Sequence, residues 1–169
     1  MNNYINEKEL DLLHDLMTGK ISVDDFKTEF SPEINLNYIL TLLSCSKVNN
    51  DKNLFRNVLW GIGMFLSSKE KLTIYRFLLL DSWHSEHEEL LMALQVTYKE
   101  EEGNSYFINA LIHNLPDYVL RDEDLSDSFI NKCLYALKAQ IEPDSKKIIM
   151  ELSNSTKAAL RDKARAHLI

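Results

Sequence analysis

A chain of 169 residues has room for one well-buried core and is short for two. Its 45% hydrophobic content belongs to a folded chain, and only 4 Gly and 3 Pro favour long helices over strands and loops. A formal net charge of −7 argues against a nucleic acid as direct partner, because phosphates are met by Lys and Arg; a basic protein is the natural complement.

The first helix is expected over about residues 6–17. Leu10, Leu13 and Leu16 or Met17 recur there at helical spacing, and Gly19 sits just past the end as a stop. Ser22 can cap a short second helix with Val23, Phe26 and Phe30 apolar. Pro32 ends that segment and can open a third helix, with Ile34, Tyr38, Leu42 and Cys45 on one side. Asn49, Asn50 and Asp51 read as a turn and a cap. A fourth helix places Leu54, Val58, Ile62 and Phe65 at steps of three and four, and Gly61 and Gly63 weaken it in a way that suggests a close neighbouring backbone.

Ser67 and Ser68 start a fifth helix with Leu72, Tyr75, Leu78 and Leu79 apolar. Asp81 and Ser82 link it to a sixth over residues 83–98. A polar turn at 100–104 leads to a seventh helix over 105–115, which Pro116 breaks. Residues 116–127 form an acidic irregular stretch. The eighth helix covers 128–139, the ninth 144–152 behind Pro143, and the tenth 156–168 behind Asn154 and Ser155. No strand-like alternation is present. Short links between helices of about three turns imply antiparallel neighbours. The expected fold is therefore all-α: one domain of about ten helices, with N-terminal helices over 1–66 and helix pairs over 67–169.

The second half is self-similar. Residues 129–137 align with 160–168, so that Phe129 matches Leu160, Lys132 matches Lys163, Cys133 matches Ala164 and Leu137 matches Leu168. Moved back the other way, the same stretch meets residues 86–94, with Leu90 against Cys133 and Leu94 against Leu137. Small or apolar residues recur where one helix would meet the next. A single pair cannot bury its face alone, so pairs must stack.

Charge is concentrated too. Residues 81–127 hold 12 acidic and 2 basic side chains, whereas residues 128–169 hold 4 acidic and 8 basic. The acidic stretch reads either as a solvated surface or as a docking patch for a basic partner. Cys45 and Cys133 have no metal-type spacing and read as small apolar residues of a reducing compartment. The first ten residues hold three charged side chains, unlike a signal peptide, and no apolar window approaches a membrane span. A cytoplasmic protein, monomeric when free, is expected.

The last unit, with Ala136 and Leu137, Pro143, Leu152, Leu160 and Arg161, then Ala164 and Leu168, resembles the HEAT-like repeat; Ile141 and Glu142 stand where that pattern has Gly-Asp. A longer resemblance covers about residues 78–168. It rests on Trp83, His84, Glu86, His87 and Glu88, on Leu94 and Gln95, on Pro116, Asp117 and Tyr118, and on Lys132 and Cys133 with Ala136 and Leu137. These residues are similar to the hallmark of a bacterial family of small HEAT-like proteins. Its members resemble immunity proteins of contact-dependent inhibition and other polymorphic toxin systems. The resemblance implies a right-handed HEAT-like α-solenoid, no enzymatic activity, no cofactor, and a cognate toxin domain as partner, neutralised by occlusion. A basic nuclease toxin would fit the acidic centre.

Two groups are candidates for that contact. In the first, Trp83, His84, Glu86, His87 and Glu88 are expected to open the sixth helix. His84, His87 and Glu88 can then share a face, and with His113 and Asp117 they could ligate a metal, the basis of an alternative reading as a metal-dependent HEAT-repeat enzyme. The plainer reading is a helix start capped by Asp81 or Ser82, with His87 bonded to a neighbouring turn. In the second group, Asp117, Tyr118, Asp122, Glu123 and Asp124 make the densest acidic loop. It is either a solvated insertion or a comb of carboxylates with Tyr118 as apolar anchor. A generic HEAT-like interaction scaffold is the third reading.

Overall fold

The computed structural model of the chain describes residues 5–168. Among them are ten α-helices and no strand, as the missing period-two alternation implies. No helix among the described residues is long and apolar enough to cross a membrane. The fold divides into two compact units, with the boundary between Lys71 and Leu72.

In the first unit, α1 (Glu7–Met17) opens on a reciprocal cap. Asn6 Oδ1 accepts from the Glu9 amide and Glu9 Oε2 accepts from the Asn6 amide, both at 2.9 Å. Two amides that a helix start leaves orphaned are thereby satisfied. Gly19 turns the chain after α1 at φ +70°, at the expected stop. Ser22 caps α2 (Val23–Glu29) by accepting from the Asp25 amide at 3.1 Å. Phe26, fully buried, stacks on Phe30 and on Phe65, with centroids 4.7 and 5.8 Å away.

Pro32 does not open the third helix. Asn35 does so instead, its side chain accepting from the Tyr38 amide at 3.0 Å, and α3 runs over Leu36–Val48. Its buried face is Ile39, Leu42, Leu43 and Ser46. Tyr38 and Cys45, expected on that face, are half-buried at its edge.

Asn49, Asn50 and Asp51 form the expected turn and cap before α4 (Lys52–Arg56). The helix does not continue regularly to Phe65. It widens to a π-helical turn over Asn57–Gly61 and tightens to a 3-10 turn over Ile62–Phe65. α1 packs against the π-helical turn. The close neighbour of Gly61 is a side chain rather than a backbone: a Cβ there would lie 3.1 Å from Met17 Sδ.

α5 (Ser68–Leu79) carries the chain into the second unit, with Leu72, Tyr75, Leu78 and Leu79 buried as the pattern implies. α6 (His87–Val96), α7 (Asn104–His113), α8 (Glu123–Ala139), α9 (Pro143–Leu152) and α10 (Ala158–Ala166) follow. α8 is the centre of this unit. It packs against α6, α7, α9 and α10, and α7 also meets α9.

Leu90, Leu94, Ile108, Phe129 and Leu137 are fully buried in this unit. Burying a side chain of this kind contributes about 1.5–3 kcal/mol. The repeat is visible in burial: Leu90, Cys133 and Ala164 are equivalent in sequence and all fully enclosed. It breaks at its last position. Leu94 and Leu137 are buried, but Leu168 is 48% exposed, because α10 ends at Ala166.

Candidate functional site

The sequence between α5 and α6 does not open a helix at Trp83. Residues 81–86 form a turn, and α6 begins at His87 without a side-chain cap from Asp81 or Ser82. The cause is local. His84 Nδ1 accepts from the Glu86 amide at 3.1 Å, while His84 Nε2 bonds the Leu78 carbonyl at 2.9 Å. A side chain that serves backbone groups in this way offers the chain an alternative to helix. The two bonds also fix His84 as the neutral tautomer with its proton on Nε2.

His87 lies flat against it, with ring centroids 4.2 Å apart and planes 17° from parallel. Its Nε2 donates to the Asp81 carbonyl at 3.1 Å, the bond to a neighbouring turn expected in the plainer reading. Its Nδ1 is buried without a hydrogen-bond partner. Burial, and then the proximity of His84, lowers the His87 pKa from 6.5 to about 3.

Of the first candidate group, His84, Glu86 and His87 are therefore buried. Trp83 is half-buried and edge-on to His84. Glu88 is partly exposed and paired with Lys132 of α8. Only Trp83 and Glu88 present surface that a partner could touch.

The acidic segment is also shorter as a loop than expected. α8 starts at Glu123 rather than near Ser128 because Asp122 caps it, accepting from the Leu125 amide at 3.1 Å. Glu123 and Asp124 stand exposed in its first turn, where the helix dipole favours negative charge. Val119 is fully buried, and its carbonyl accepts from Ser126 Oγ at 2.7 Å, which pins the preceding turn.

Asp117 is exposed. Tyr118 is turned inward: its ring sits 5.7 Å from His87 and 6.4 Å from Phe129, and its hydroxyl is buried without a partner. Burial, then Glu88 and Glu89, hold its phenol above the ordinary value of 10.0. Tyr118 is thus a packing residue that joins the two candidate groups, and it does not stand out as an anchor.

The metal set is not assembled. Both ring nitrogens of His84 are engaged by backbone. The described residues contain no group of three or more His, Cys, Asp or Glu placed to hold one ion. Burial raises the Cys133 thiol above its usual range, which leaves it a poor nucleophile.

A third group escapes the sequence reading. α7 starts at Gly103, at φ +92°, with no side-chain cap of its own. The cap comes from the α8–α9 link. Glu142 accepts from the amides of Gly103 and Ser105, each at 2.7 Å, one on each carboxylate oxygen. Beside it Asn104 is fully enclosed: it donates to the Tyr98 carbonyl and to Gln140 Oε1, and accepts from Arg76 Nε at 2.9 Å.

This knot fixes the walls of a groove of about 660 Å³ lined by Glu100, Glu102, Glu142, Asp144, Tyr106 and Ile141, among others. Tyr106 is 58% exposed, and its hydroxyl donates to Asp144 Oδ2 at 2.9 Å. Four carboxylates flank one exposed ring and one exposed aliphatic side chain. One signal in the sequence points here: a helix start at Gly103 without Ser, Thr or Asp must take its cap from elsewhere, and Glu142 stands where a HEAT-like turn has another residue.

No protein-family model, no curated protein and no solved structure matches this chain. Chemistry must therefore be read from the groups themselves. The accessible ones are carboxylates on the turns at 100–102 and 117 and in the capped first turn of α8, with Trp83 and Tyr106 as partly exposed aromatic surface. They suit the holding of cations through charge-assisted hydrogen bonds.

Proposed function

We propose that this chain is an immunity protein that binds a basic toxin domain and neutralises it by occlusion. The observation that carries the reading is the groove around Tyr106, where exposed acidic side chains border apolar surface on a hydrogen-bonded frame. Rigid walls reduce the ordering cost of binding, and a central aromatic supplies the desolvated contact that charge alone lacks. Glu123 and Asp124 form a separate acidic patch in the same unit, at the end of α8 opposite Glu142.

The scaffold of this proposal is a short right-handed HEAT-like stack. What supports it is the order of helix neighbours: α6 meets α8, α7 meets α9, and α8 meets α10, each the next helix but one. In the proposed stack these are like helices of successive pairs, and α7 with α8 and α9 with α10 are the pairs.

The test is to look for a toxin domain encoded directly upstream and to measure whether the chain protects bacterial cells from it. The wild-type chain should restore growth and bind the purified toxin. Glu100→Lys combined with Glu102→Lys should weaken binding about tenfold or more while leaving the melting curve in place. Both side chains are exposed. Undiminished affinity of this variant at low salt, or no protection by the wild type, would sink the reading.

A further inference from the structure

A second groove, of about 680 Å³, lies in the same unit and has the opposite character. Leu80, Leu115, Leu120 and Ile130 give it apolar walls, and His113 and Lys157 also line it. Leu80 and Leu120 are 48% and 62% exposed, more than isolated surface leucines need to be when they converge on one cleft. His113 and Lys157 are exposed as well.

One end of this groove is the start of α10. Lys157 occupies the cap position there, and no side chain caps the helix. Ala159 and Leu160, in the first turn, line the cleft. Amides at such a start carry partial positive charge, and Lys157 adds a full one beside them. Both favour a negative group, although the chain as a whole carries a net charge of −7.

We propose that this groove docks an apolar segment of a partner protein bearing an Asp or Glu side chain, with the carboxylate set against Lys157 and the first turn of α10. The leucines receive the apolar side chains, and the charge fixes the register of the segment. This surface is independent of the acidic groove at Tyr106 and would take a segment of the opposite charge.

The experiment is panning of a displayed random-peptide library on the full chain. The recovered sequences should pair apolar residues with an internal Asp or Glu. A synthetic peptide of the recovered consensus should bind the Lys157→Glu variant about tenfold more weakly, and Leu120→Asp should remove binding. Both positions are exposed, and matching melting curves would establish that the variants fold. Basic sequences captured by the acidic groove at Tyr106 are told apart by binding Leu120→Asp as well as the wild type. Recovered sequences whose binding Leu120→Asp removes but which lack an internal carboxylate would overturn the proposal. Enrichment no better than on an empty support would do the same, and so would equal binding by Lys157→Glu.

Discussion

The stacked histidines between α5 and α6 show how a motif that looks like a ligand set becomes a structural joint. Each ring gives its Nε2 proton to a backbone carbonyl, His84 to Leu78 and His87 to Asp81. A protonated ring would place a charge in a closed space against its neighbour. The folded-state pKa of His87, about 3, lies below the ordinary 6.5. Above pH 6.5 neither state binds the proton, so the neutral ring's contribution to stability is fully present. Between pH 6.5 and about 3 the unfolded chain takes up a proton that the folded chain refuses, and stability falls as pH falls. Proton NMR of the ring should accordingly show no titration of His87 down to about pH 4, while the denaturation midpoint drops across that range. A His87 resonance that titrates near its ordinary value would show that the ring is open to solvent.

At the scale of elements, most helices and several of their ends are legible in the sequence, because caps are local. Ser22, Gly19 and the Asn49–Asp51 turn act through residues within a few positions. The misjudged ends are those where side chains bind backbone in another way. α6 starts late because His84 holds the turn before it, and α8 starts early because Asp122 outranks Ser128 as a cap. The groove at Tyr106 is barely legible: the missing local cap at Gly103 is its one trace, since Glu142 meets Gly103 and Ser105 across gaps of 39 and 37 residues. That cap is also a stability element. Glu142→Ala leaves two first-turn amides of α7 without their carboxylate, and should destabilise the protein by about 1–3 kcal/mol. Chemical denaturation measures this directly. Glu142→Gln, which keeps one acceptor oxygen, should lose less, and equal losses would mean that the carboxylate is not the cap.

For the whole molecule, the uneven charge matters more than its total. Part of the basic C-terminal stretch offsets acidic groups in the same unit: Lys132 pairs with Glu88, and Lys163 with Asp127 at 3.1 Å. These surface pairs contribute little stability, but they remove carboxylates from the outward field. Glu100, Glu101, Glu102, Asp117, Glu123 and Asp124 remain exposed. A field built from exposed charges acts over roughly 10 Å at about 0.1 M salt and collapses as salt rises. It steers encounter more than it holds a formed complex. For a basic toxin partner, the association rate should fall about tenfold or more between low salt and about 0.5 M salt, with the dissociation rate changing far less. Stopped-flow measurement separates the two rates. If dissociation instead carried the salt dependence, the charged groups would be desolvated inside the interface, and the acidic surface would be a buried contact rather than a steering field.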